Sequence, residues 1–176
     1  MSRGRRPTAM LEKALLAIVA VVGLSTAAHA NTLKVGDRLA ELDVAVDARG
    51  KAFKLKTLKG KWLVVTIGAA WCKPCAKELP AWDKLAAAKA GKVTFVAIDI
   101  DDEIDDGKRF HDKLKLKNMT RVYMPNEKSS VAGRYGADAM PTTFVIDPQG
   151  IVRLVHKTFN AGDEKKLSAE LDKLVK

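Results

Sequence analysis

The sequence predicts an α/β domain: a mixed central sheet with helices on both faces and an N-terminal β-hairpin extension. Three observations predict it. Strand-like and helix-like segments alternate along the chain after its first thirty residues. Two of the strands, "GKWLVVTIGA" and "KVTFVAIDI", are short apolar runs rich in β-branched residues, the pattern of strands buried on both faces. Near the C-terminus, "TTFVIDPQGIVRLVHKTF" turns at Asp147-Pro148-Gln149-Gly150 between two apolar segments, which reads as a hairpin.

The elements follow in order. "ELDVAVDARGKAFKL" alternates apolar residues on either side of Ala48-Arg49-Gly50 and predicts a first hairpin. After the first buried strand, "CAKELPAWDKLAAAK" places Leu79, Trp82 and Leu85 at helical spacing, with Pro80 predicting a kink rather than a stop. "DDGKRFHDKLKLK" is an amphipathic helix with Phe110 and Leu114 on one face, and "RVYM" is a short strand. "SSVAGRYGA" reads as a short helix ending at Gly136. "GDEKKLSAELDKLVK" closes the chain as a helix on Leu167, Leu171 and Leu174. No repeat or low-complexity tract interrupts this order.

The first thirty residues read as a secretory signal. "MSRGRR" is basic, Ala14 to Leu24 is apolar, and "AHA" at Ala28 to Ala30 supplies small residues at a cleavage site. The apolar run is short for a membrane span, which needs ~20 residues. An uncleaved anchor is the alternative. The expected division is therefore a signal over 1–30 and one domain over 31–176, exported to the periplasm or beyond. The net charge is +10, but the basic residues are dispersed among acidic ones and no nucleic-acid motif accompanies them.

The chain has two cysteines, Cys72 and Cys75, in "IGAAWCKPCAKELP". A bridge between them closes a very small loop and restricts the unfolded chain little. A structural zinc site wants four ligands, and the histidines, His29, His111 and His156, stand apart from the pair. The strand ending near Ile67 delivers the chain through Gly68-Ala69-Ala70 to a helix starting near Cys72. A thiolate there is favoured by free amides and by the helix dipole. Pro74 suits a first helical turn, and Lys73 adds a nearby cation that salt screens. Cys75, one turn on, is within bonding reach of Cys72.

"WCKPC" after an apolar strand, followed by "MPTTFVID", resembles the thioredoxin fold. "VGDRLAELDV", "GKAFKLKTLKGKWLVV" and "CAKELP" narrow the resemblance to the TlpA/ResA-like thiol–disulfide oxidoreductases. It covers nearly all of 33–176. The resemblance implies a redox-active Cys72–Cys75 disulfide and no other cofactor. It implies client proteins bearing disulfides or thiols and a membrane electron donor, in settings such as cytochrome c maturation or copper-site assembly. A monomer and no metal are expected.

From the residues alone Pro141 reads as an ordinary trans proline opening the strand Thr142 to Ile146. The resemblance implies a cis bond facing the cysteines, with the Met140 backbone free to pair with a client segment. Glu78 is either a surface residue supporting the first helical turn or, as the resemblance implies, a partly buried proton carrier for Cys75. Trp71 shields the edge of the site, packs, or does both.

Two departures from the family stand out. Ordinary thioredoxins carry a buried acid six residues before the first cysteine, and here that residue is Thr66. Ile67-Gly68 replaces a pair of aromatics, which leaves the region above the motif less filled. A peroxiredoxin-like peroxidase is the competing enzyme, but Val65 and Ala69 occupy the places of its proline and threonine. A copper or haem chaperone using the thiols as ligands is the non-enzymatic alternative. The acidic run from Asp99 through Asp106 lacks the glycine and terminal glutamate of an EF-hand loop and reads as a solvated strand end.

Overall fold

The structure, a computed structural model, describes Met1 and residues 32–176. The signal-like segment lies outside the described residues. Six strands form one sheet: β1 (Val46–Asp47), β2 (Trp62–Gly68), β3 (Val93–Asp99), β4 (Thr120–Tyr123), β5 (Thr142–Ile146) and β6 (Val152–Lys157), in the order β1-β4-β3-β2-β5-β6. β2, β3 and β4 run parallel to one another, while β1 is antiparallel to β4, β5 antiparallel to β2 and β6 antiparallel to β5. The sheet is thus mixed, as expected. Among the described residues no helix is long and apolar enough to cross a membrane.

Alternation along β2 sorts its side chains between two cores. Leu63, Val65 and Ile67 enter one apolar cluster with Val96, Ile98, Phe144 and Ile146. Val64 faces the other, with Phe95, Ala97 and Val145. The second cluster is covered by α1 (Lys73–Ala88) and α3 (Asp163–Leu174), through Leu79, Trp82, Leu167 and Leu171, and by Phe110 of α2 (Ile104–Lys113). On the first face the helical cover consists of 3-10 turns, Leu55–Leu58 and Ala132–Tyr135, together with Leu33, Leu42 and Ala45 of the N-terminal segment. Gly136 ends the second of these turns, as the sequence predicts.

The first hairpin is shorter than its alternation predicts. The turn at 48–50 forms, with the Gly50 amide donating to the Asp47 carbonyl, but the returning arm makes only a bridge between Ala52 and Val46. On their other edge Val46 and Asp47 pair with β4 and so join the sheet. Carboxylates finish the work that a longer hairpin would do. Glu41 accepts from the amides of Leu55 and Lys56, and Asp43 accepts from Ser129 and Ser130. Both pin the N-terminal segment across the first core.

Asp83 on α1 plays the same part on the other face. Its carboxylate accepts from the amides of Lys117, Asn118 and Met119 and from the Asn118 side chain, tying the loop before β4 to α1.

Candidate active site

β2 ends at Gly68, and the Gly68 carbonyl still accepts from the Ile100 amide, so the sheet holds the chain up to the turn. The turn 69–71 then reverses direction, closed by the Cys72 amide on the Ala69 carbonyl at 3.0 Å. Asp101 steadies it from β3's side, accepting the Ala70 amide at 2.8 Å. Cys72 is the N-cap of α1: its backbone is extended and its Sγ accepts the Cys75 amide at 3.3 Å. Pro74 stands in the first turn, where no amide is missed, and Lys73 is exposed beside it. The helix continues through Pro80 to Ala88.

Cys72 and Cys75 form a disulfide across this turn, with Cα atoms 5.3 Å apart. Cys75 is fully buried and Cys72 is 6 % exposed. The pair is asymmetric in the expected sense, although Cys72 emerges less than its position at a helix tip predicts. Trp71, by contrast, is 67 % exposed and stands at the rim. It shares a shallow depression with Asp101, Arg109, Phe110 and Lys113. Trp71 therefore presents apolar surface to solvent at the site.

Gly68 bears directly on the pair. A Cβ there would lie 3.2 Å from Cys75 Cβ and 3.4 Å from its Sγ. The missing side chain lets the buried cysteine approach the sheet.

The bond between Met140 and Pro141 is cis. Met140 packs against the core cluster that contains both cysteines, and Pro141 is buried. The Pro141 carbonyl accepts from the Thr158 amide. Among the described residues no backbone hydrogen bond within the chain involves Met140.

Glu78 points inward and is fully buried. Its Oε2 accepts from the Thr66 hydroxyl at 2.8 Å and its Oε1 from the Thr143 hydroxyl at 3.0 Å. Trp82 Nε1 donates to Thr143 Oγ1 at 3.1 Å. Burial pushes the Glu78 carboxyl up to about 7, against the hydroxyl hydrogen bonds that favour its charged form. The surface reading of Glu78 is thereby excluded. Thr66, which carries no carboxyl, serves as donor to the buried acid on α1.

The sequence reasoning missed Thr143 and the second role of Trp82. β5 sets Thr143 in register with Thr66, which is a signal only once the pairing of β2 with β5 is known. It also misread part of the acidic run. Asp99 and Asp101 are buried rather than solvated, because Asp99 continues the inward alternation of Phe95 and Ala97. Burial, and then the Asp101 carboxylate, hold the Asp99 carboxyl well above the usual carboxylate range.

A disulfide bridging the first turn of a helix, laid on a mixed sheet beside a cis proline, defines a thiol–disulfide oxidoreductase of the thioredoxin fold. Comparison with known proteins agrees. The AhpC/TSA family profile matches residues 35–155, and the chain belongs to this family, among its ResA-like thiol–disulfide oxidoreductases. The thiol-disulfide oxidoreductase ResA of Bacillus thuringiensis is 31 % identical over 132 residues, spanning 74 % of this chain and 73 % of that protein. Among solved structures, a DsbE-type thiol:disulfide interchange protein from Chlorobium tepidum superposes with a TM-score of 0.72 at 25 % identity, covering 82 % of this chain and all of that one. A secreted Mycobacterium tuberculosis disulfide oxidoreductase gives 0.62 at 25 % identity, covering 73 % and 93 %.

Proposed function

We propose that the protein is an exported reductant of client disulfides, with Cys72 as nucleophile and Cys75 as resolving cysteine. The observation that carries this reading is the asymmetry of the pair: Cys72 caps a helix and keeps a path to solvent, while Cys75 is sealed beneath it. In the reduced protein the Cys72 thiolate, held by the Cys75 amide and the helix dipole, attacks a client disulfide. A mixed disulfide forms and one client thiolate leaves. Cys75 then loses its proton to the Glu78 carboxylate and attacks Cys72 Sγ, releasing the second client thiolate. Two electrons pass to the client, and the pair ends as the disulfide.

The client segment lies alongside Met140, whose backbone is free for strand-like pairing, and against Trp71. Lys73 and Pro74 tune the first turn. Export is supported by the signal-like first thirty residues and by likeness to a protein described as secreted. In an oxidising compartment the pair must be re-reduced, which calls for a membrane electron donor. Clients in cytochrome c maturation or copper-site assembly fit a reductant in such a compartment.

A glutathione redox titration of the purified protein tests the direction: a strongly negative potential is expected, and a high one would assign an oxidant. Cys75→Ser should hold clients on Cys72 as mixed disulfides. Trapped haem-binding apoproteins or copper proteins would identify the client class. Peroxide consumption matching thiol exchange in rate would favour the peroxidase instead.

A further inference from the structure

Thr66, Thr143 and His156 stand in register across β2, β5 and β6, in a row beneath α1 and α3. Glu78 and Trp82 reach down to this row from α1. Two hydroxyls and one carboxyl close a ring: Thr143 Oγ1 lies 2.8 Å from Thr66 Oγ1, Thr66 Oγ1 2.8 Å from Glu78 Oε2, and Glu78 Oε1 3.0 Å from Thr143 Oγ1. The three side chains of the ring, and Trp82 beside them, are fully buried. Each hydroxyl has one proton to give and two lone pairs to receive.

Counting those protons gives one arrangement that serves both oxygens of the charged carboxylate; for the protonated acid the ring can close in either sense, and the hydrogen bonds from Thr143 to Thr66 and from Thr66 to Oε2 pick the one that follows. With the carboxylate charged, Thr66 donates to Oε2, Thr143 donates to Oε1, and the Trp82 N–H donates to Thr143. Both carboxylate oxygens are served. With Glu78 protonated on Oε1, the carboxyl donates to Thr143 Oγ1, the Thr143 hydroxyl turns to Thr66 Oγ1, and Thr66 still donates to Oε2. The ring is then closed in one sense. Trp82 keeps its place in both. Only the Thr143 proton changes partner.

We propose that Thr143 is a positioning residue whose hydroxyl turns between Thr66 and Glu78, so that the buried carboxyl is fully hydrogen-bonded whether or not it holds a proton. This rests on the reading of Glu78 as proton carrier for its use in exchange, but not for its geometry. The consequence is that a proton enters or leaves the core without stranding a buried polar group, which would otherwise oppose the transfer. The titratable groups facing Glu78 are Cys75 one turn earlier on α1, His156 on β6, and Asp163 at the start of α3, whose charge disfavours the Glu78 carboxylate. Asp163 is itself paired with Lys166 at 2.9 Å and His156 at 3.2 Å. β2 and β5 contribute only the two uncharged threonines.

The test follows the Glu78 carboxyl directly, by carbon NMR of the full-length oxidised protein labelled at the glutamate carboxyl. Thr143→Val keeps the shape and removes the donor to the charged form. It is expected to raise the Glu78 midpoint by about one unit, the order set by a charge-assisted hydrogen bond. Thr143→Ser should restore the wild-type midpoint. Thr143→Ala gives the same readout if the valine variant does not fold. The Thr143 hydroxyl proton should change its resonance through the same pH range as the carboxyl. An unchanged midpoint without the hydroxyl, a serine variant that behaves like valine, or a Thr143 proton that ignores the titration would each overturn the proposal. Client reduction by Glu78→Gln is a separate measurement. Full activity there removes the catalytic use of Glu78, while a shifted midpoint in Thr143→Val stands regardless.

Discussion

The Glu78 carboxyl and the Thr66 hydroxyl meet at 2.8 Å in a part of the core that solvent does not reach. The acid that thioredoxins carry on the strand is here supplied by the helix, and the strand supplies its donor. Burial raises Glu78 from 4.5 to about 7, so the folded protein holds a proton that the unfolded chain releases. The full stability is therefore present below about pH 4.5. It falls as pH rises to about 7 and is level beyond, with a total loss on the order of 3 kcal/mol. Glu78→Gln should remove this slope. The check is urea unfolding of both oxidised proteins between pH 4 and pH 9. Parallel stability curves would mean that the carboxyl titrates as an ordinary exposed acid.

Trp71 offers apolar area at the rim of the site and little to the core. Trp71→Ala should thus leave the reduction potential and the rate with a small dithiol unchanged. Reduction of a protein disulfide should slow by about tenfold, the scale of an aromatic anchor lost from an interface. Equal losses with both substrates would assign Trp71 to the chemistry rather than to the client.

Asp101 reaches across from the end of β3 to hold the Ala70 amide, two residues before Cys72. Asp101→Ala should cost about 1 kcal/mol of stability, as the acceptor is lost from the Ala70 amide in a part-buried turn, and should slow attack by Cys72 on a client disulfide. Asp101→Asn keeps an acceptor and is expected to lie much nearer wild type. Thermal unfolding and stopped-flow exchange report the two effects separately.

The fold was legible where pattern is local. The runs Leu63–Ile67 and Thr94–Ile98 announced buried strands because both faces of the sheet are covered, and the paired cysteines marked the helix start because proline and a short turn surround them. Contacts between distant segments were not legible. Thr66 and Thr143 are ordinary strand residues until β2 and β5 pair, and only then does Glu78 acquire two donors. The hairpin at 44–54 alternates convincingly, yet its returning arm pairs only at Ala52, while the other edge of Val46 and Asp47 joins β4, a partner that lies far on in the chain and that local pattern does not reveal. The acidic run hid a structural feature in a surface composition. Alternation along β3 turns Asp99 inward, and the count of charges alone concealed it.

Asp83 collects three backbone amides and one side-chain amide from the loop before β4. Asp83→Ala leaves the buried Met119 amide without this acceptor, while the donors of Lys117 and Asn118 turn to water, at a cost of roughly 1–2 kcal/mol. Because α1 carries the cysteines and the loop does not, the loss should appear in the unfolding midpoint while the reduction potential stays within error of wild type. A large change in potential would show instead that the loop positions the start of α1.

Gly107 on α2 is the residue whose replacement the structure resists most sharply. A Cβ there would fall 2.0 Å from Asp99 Oδ1, 2.5 Å from its Cγ and 3.1 Å from Tyr123 Cδ1. The helix sits this close because Asp99 occupies the space a side chain would take, with Oδ1 accepting the Asp101 amide. In an exposed helix interior Gly→Ala would stabilise by up to ~1 kcal/mol. Here the overlap reverses the sign, and Gly107→Ala should destabilise by about 3 kcal/mol, the upper range for overpacking. Removing the obstacle should relieve it: Asp99→Ala opens the space, so the double variant should be more stable than the sum of the single effects by at least 1 kcal/mol. Chemical unfolding of the four proteins closes the cycle. Simple additivity would mean that α2 shifts away from the sheet to admit the methyl group, and that Asp99 does not set its distance.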